Sequence, residues 1–121
     1  MIHELVVDAY DCAGDLNDPK ALIAAAKSAV TKVGARIAGE TYHQFQPHGL
    51  TACLILQESH FIVSTWPEYR FAVVNIFLCN EAMDAKKVWE DFSKLLKPGN
   101  SVFHQVRHQV PTALQKKTGS K

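Results

Sequence analysis

Apolar residues fall into two rhythms along this chain. Leu22, Ala25, Ala26, Ala29, Val30 and Val33 recur at three- and four-residue intervals, the spacing that lines one face of an α-helix. Asp18 stands where an N-cap is wanted, and Pro19 takes the first helical position, where its missing N–H costs nothing. Gly34 is placed to end the helix. A second helical stretch runs from Met83 to Lys97. There Ala85, Val88, Trp89, Phe92, Leu95 and Leu96 share a face, Asp84, Lys86, Lys87, Glu90 and Lys94 lie largely off it, and Pro98-Gly99-Asn100 stops it.

Elsewhere the rhythm is that of strands: Leu5 to Tyr10, Arg36 to Phe45, Leu50 to Gln57, Phe61 to Thr65, Phe71 to Cys79 and Ser101 to Val110. Pro47-His48-Gly49 makes a turn before the third strand, and Trp66-Pro67-Glu68 breaks the chain before the fifth. The third and fifth strands are apolar on both faces, which predicts central places in the sheet. Short turns between strands imply antiparallel pairing. The order therefore predicts one α/β (α+β) domain over 1–121, a two-layer sandwich of a mainly antiparallel sheet with both helices on one face. The other sheet face would stay partly open and lined by Phe, Val and Ile, and dimerisation of two identical chains through it is expected. Residues 112–121 read as a polar, frayed tail.

Composition narrows the class. At 121 residues and 47% hydrophobic, the chain can bury a core without disulfide or metal staples. A net charge of +1 with both signs interspersed gives no stripe for nucleic acid. Cys12, Cys53 and Cys79 are odd in number and widely spaced, a poor disulfide or zinc framework; free thiols suit a reducing cytosol. Met1-Ile2-His3-Glu4 is no signal-peptide start, and no apolar run approaches the ~20 residues that span a bilayer. A soluble cytoplasmic protein is expected, with a small-molecule partner and neither nucleic acid nor membrane. His104 and His108 would lie ~13 Å apart on a strand, too far to share a metal ion.

The chemistry is concentrated in Glu58-Ser59-His60, followed by Thr65-Trp66-Pro67-Glu68-Tyr69. A serine beside a histidine at a strand end is ordinarily structural, and neighbours on a strand point to opposite faces, so a Ser-His hydrolase pair is a poor reading. Taken with His43-Gln44-Phe45-Gln46-Pro47-His48-Gly49 before the third strand and Asn75-Ile76-Phe77-Leu78-Cys79 after the fourth, however, the chain resembles the short bacterial and archaeal S-adenosylmethionine decarboxylase proenzymes along nearly its whole length.

That resemblance implies a cofactor made from the backbone. The Ser59 hydroxyl attacks the Glu58 carbonyl and the amide becomes an ester. Loss of the α-proton expels the Glu58 carboxylate, and the dehydroalanine left behind hydrolyses to a pyruvoyl group. The products are chains 1–58 and 59–121. The pyruvoyl ketone then condenses with the substrate's α-amine and serves as electron sink while carbon dioxide leaves. By the same resemblance Cys79 protonates the substrate's α-carbon, Phe45 stacks on an adenine, Glu68 binds substrate, and His60 is counted with them on the substrate side.

Two positions depart from the family pattern. The histidine that assists elimination, just before Thr-Trp-Pro-Glu, is Ser64 here, and the serine on the strand before the cleavage site is Thr51. Threonine keeps the hydroxyl; a serine hydroxyl is a far weaker proton acceptor than imidazole. His43, His48, His60, His104 and His108 are candidates for a displaced base. Three readings stay open: an S-adenosylmethionine decarboxylase serving polyamine (spermidine) synthesis, a pyruvoyl-dependent arginine or ornithine decarboxylase, and an unprocessed inactive paralogue that works by binding.

Overall fold

The computed structural model describes residues 2–113. In chain order they form β1 (Ile2–Tyr10), α1 (Pro19–Lys32), β2 (Ile37–Gln44), β3 (Leu50–Leu56), β4 (Ser59–Trp66), a short 3-10 turn (Pro67–Tyr69), β5 (Phe71–Phe77), α2 (Ala85–Leu96) and β6 (Asn100–His108). The expected frayed tail lies outside the described residues from position 114 onward.

The strands make one six-stranded sheet in the order β2-β3-β4-β5-β1-β6, and every neighbouring pair is antiparallel. β2 to β5 form a meander. β1 enters between β5 and β6, so α1 carries the chain from β1 to the far edge, and α2 returns it from β5 to β6. This is the expected two-layer α+β sandwich.

Local chemistry sets the helix ends. The Asp18 carboxylate accepts hydrogen bonds from the Lys20 and Ala21 amides, and Asp84 does the same for Lys86, satisfying amide groups that lack a partner in the first turn. Leu22, Ile23, Ala26, Ala29 and Val30 of α1 and Val88, Trp89, Phe92 and Leu96 of α2 are buried. They cover Leu5, Val7 and Ala9 of β1, Leu50, Ala52, Leu54 and Leu56 of β3, Phe61 and Val63 of β4, and Ala72, Val74 and Ile76 of β5. Phe61 meets Phe92 edge-on with ring centroids 4.9 Å apart, a favourable aromatic arrangement.

The opposite sheet face carries no helix. Cross-strand register puts Thr41 and His43, Thr51, Cys53 and Ile55, His60, Ile62, Ser64 and Trp66, and Phe71, Val73, Asn75 and Phe77 on it. β1 adds Glu4, Val6, Asp8 and Tyr10, and β6 adds Val102, His104, Val106 and His108. It is apolar in patches, with Ile55, Trp66, Val102 and Val106 exposed.

Two strand expectations are corrected. β3 is next to the edge strand β2 rather than central; its second apolar face, Cys53 and Ile55, lies on the open side. β5 is central but ends at Phe77, and Cys79 sits in the bend beyond it. Leu78 continues the apolar alternation and its side chain is buried, but the chain has by then left its β4 and β1 partners.

Candidate functional site

The β3–β4 hairpin decides where the candidate residues lie. Leu56 pairs with Ser59, so Gln57 and Glu58 alone make the turn. Ser59 is thus the first residue of β4, not part of a loop ahead of it. Glu58 adopts the left-handed conformation, with φ 65°, a strained state for a residue with a side chain. The next side chain is the Ser59 hydroxyl, which donates a long 3.4 Å hydrogen bond to the Gln57 carbonyl. Strain at the residue whose carbonyl would be attacked, followed directly by a hydroxyl, fits a self-cleaving peptide.

Cys79 is at the same end of the sheet. His60 lies opposite Phe77, so the bend that holds Cys79, just past the end of β5, follows the end of the sheet at which β4 begins. The other two thiols lie elsewhere. Burial pushes both the Cys12 and the Cys53 thiol up, and Cys12 donates a 3.6 Å hydrogen bond to the Ala9 carbonyl beneath the helices.

Beside this end runs a polar chain across the open face. His60 Nε2 donates to Asn75 Oδ1 at 3.1 Å, Asn75 Nδ2 donates to Glu4 Oε2 at 2.6 Å, and His108 Nε2 donates to Glu4 Oε1 at 2.9 Å. His104 holds Asp8 separately at 2.8 Å. Hydrogen bonds from His108 and Asn75 hold the Glu4 carboxyl below its ordinary value of 4.5, against partial burial, which works to raise it. A lowered folded-state value stabilises the fold above the ordinary value, and that contribution disappears as pH falls through the lowered one. Glu4→Gln is therefore expected to cost about 1–2 kcal/mol at pH 7. In urea melts the gap to the parent chain should close below about pH 4.5. A gap of constant size would contradict the assignment.

The remaining candidates gather at the other end of the hairpin. Thr51 pairs with Ser64, and their hydroxyls are 2.9 Å apart. They face a cavity of about 380 Å³ lined also by Phe45, His48, Trp66 and Glu68, within the size range of small-ligand sites. The loop carrying Phe45 and His48 is pinned in place. The Asn17 side chain accepts from the Gly49 amide at 2.8 Å, Gln44 Nε2 donates to the Asn17 carbonyl at 2.9 Å, and the Phe45 amide donates to the Gly49 carbonyl at 2.7 Å. Gly49 has φ 96°, and a β-carbon there would come within 2.9 Å of the Thr65 carbonyl oxygen, so only glycine closes the loop this tightly. Phe45 is 49% exposed, as a ring that stacks on a ligand would be, with His43 edge-on to it at 4.8 Å. His48 Nε2 lies 3.3 Å from Glu68 Oε1.

The candidate site residues are therefore split into two groups within one chain. Ser59, Glu58, His60 and Cys79 stand at one end; Phe45, Thr51, Ser64 and Glu68 stand at the other. Ser64 lies five positions along β4 from Ser59, about 17 Å away. Missing from the sequence reading were Glu4 and Asn75 of the polar chain and the pairing of His48 with Glu68. Carboxylates at Glu4 and Asp8, on one face of a strand otherwise rich in valine, were the available signal for a polar open face. Among the described residues no group of three or more side chains could hold a metal ion, and no helix is long and apolar enough to cross a membrane.

Comparison with known proteins gives the family and the fold. The sequence model of the S-adenosylmethionine decarboxylase family matches residues 3–109. An S-adenosylmethionine decarboxylase proenzyme of Thermotoga maritima is 36% identical over 106 residues, 87% of this chain and 80% of that protein. One of Thermosipho melanesiensis is 31% identical over 105 residues, 86% of this chain and 79% of that protein. The crystal structure of an adenosylmethionine decarboxylase from Aquifex aeolicus superposes with a TM-score of 0.81 at 24% identity, covering 93% of this chain and 94% of that one, which shows the same fold.

Proposed function

The chain belongs to the S-adenosylmethionine decarboxylase family, and on that premise we propose that it cuts itself between Glu58 and Ser59 and, as a pyruvoyl enzyme, decarboxylates S-adenosylmethionine for polyamine synthesis. The observation that carries the reading is the turn: a left-handed Glu58 directly before a hydroxyl that opens a strand. The pyruvoyl group supplies an electron sink for the departing carboxylate's electrons. The chain's own side chains do the rest. Cys79, in the bend just past β5, is the proton donor to the substrate's α-carbon. Phe45 offers an exposed ring for stacking on an adenine, and Glu68 offers a carboxylate that accepts hydrogen bonds from hydroxyls.

The split between the two groups supports a site built from two copies. Facing sheets, with their hairpins running in opposite directions, would bring the Ser59 and Cys79 end of one copy to the Phe45, Ser64 and Glu68 cavity of the other. The helix-free sheet face, with its exposed Ile55, Trp66, Val102 and Val106, is the surface such a homodimer would bury.

Carbon dioxide release from carboxyl-labelled S-adenosylmethionine, arginine and ornithine, measured side by side, tests the substrate. Release from S-adenosylmethionine alone is expected. Release from arginine or ornithine instead would move the activity to those amino acids, and release from none would leave a binding protein.

A further inference from the structure

Elimination of the Glu58 carboxylate from the ester removes a proton from the α-carbon of residue 59, and some group must accept it. The five histidines outside β1 sort cleanly in space. His60 and His108 belong to the Asn75–Glu4 chain, and His104 is held by Asp8. His43 packs against the Phe45 ring and does not line the cavity. His48 does line it, together with Thr51, Ser64 and Glu68. Thr51 and Ser64 are hydroxyls engaged with each other, and hydroxyls are poor proton acceptors near neutral pH.

We propose that His48, oriented by Glu68, is the proton acceptor of the self-cleavage. This rests on the self-cleavage and the two-copy site proposed above. Nε2 lies 3.3 Å from Glu68 Oε1, so the carboxylate sits against that edge of the ring and Nδ1 is the nitrogen left to take a proton, the arrangement in which a carboxylate orients a histidine base. In the step itself, Nδ1 takes the α-proton of the partner's Ser59 in its ester form. The C–H electron pair becomes the new Cα–Cβ double bond, the bond from Cβ to the ester oxygen breaks, and the Glu58 carboxylate leaves with that pair. No oxidant or other reactant enters. Glu68 acts through His48 and is a positioning residue for this step.

The test follows cleavage of freshly made precursor by intact mass over time, in the parent chain, in His48→Gln and in the double variant His48→Gln with Ser64→His, with circular dichroism confirming that each is folded. Position 64 faces the same cavity, so an imidazole there can stand in for one at 48. His48→Gln is expected to slow cleavage at least ~100-fold, the usual size of a lost general base, and the double variant should recover most of that loss. Cleavage of His48→Gln at the parent rate overturns the proposal while leaving the self-cleavage intact. A folded His48→Gln chain that stays uncut and is not rescued by Ser64→His also overturns it, because His48 would then only shape the loop. A parent chain that never cuts overturns the self-cleavage, and this proposal with it.

Discussion

Ser59→Ala is expected to leave one uncut chain with no decarboxylase activity. Methyl for hydroxyl removes the attacking atom, and no neighbouring side chain replaces it: Gln57 and Glu58 precede the bond, and His60 points to the opposite face of β4. The loss should be total rather than graded, because the cofactor would never form. The fold should be unaffected, since the hydroxyl's hydrogen bond to Gln57 is long, at 3.4 Å. The same variant probes the two-copy site. Co-expressed with a Glu68→Ala chain, itself expected to be poorly active, it should restore activity, because the hybrid pairs an intact Ser59 on one chain with an intact Glu68 on the other. A homogeneous Ser59→Ala protein that still cuts would contradict the assignment, and hybrids with no regained activity would contradict the shared site.

Cys79→Ala carries the second large effect. Cleavage should proceed normally, while decarboxylation falls ~10²–10⁴-fold, the range for losing a positioned proton donor. Cys79 lies in the bend just beyond β5, past the end of the sheet at which β4 begins with Ser59. Cys12 lies under the helices with its thiol held up by burial, and Cys53 lies three residues of strand from the turn. Neither can take over. Separate readouts for cleavage and turnover keep the two roles apart, and a Cys79→Ala enzyme with parent turnover would remove the cysteine from the reaction.

Much of the fold was legible because its signals are local. Asp18 and Pro19 marked the start of α1 and fixed it at the expected residue. The apolar stripe from Val88 to Leu96 marked α2, though Asp84 as N-cap starts it at Ala85, not at Met83. Strand ends were harder, because pairing rather than composition sets them. Ser59 joins β4 since Leu56 stands opposite it, and Cys79 leaves β5 since the chain has run past its neighbours. The candidate site was legible as a list of residues but not as a place. Nothing in Phe45, Ser59, Ser64 and Cys79 as letters says that a straight hairpin holds the first and third apart from the other two. That follows only from register. Nor does Pro47-His48-Gly49, read as a turn, reveal that its histidine meets Glu68 across a cavity, a contact between residues twenty positions apart in the chain.

The proposed activity depends on cleavage of the peptide bond before Ser59. The intact mass of the purified protein measures it directly. Two chains are predicted, 1–58 ending in the free carboxylate of Glu58 and 59–121 beginning with a blocked, pyruvoyl-bearing residue in place of serine. A single mass equal to that of the unbroken 121-residue chain, unchanged on long incubation, would contradict it.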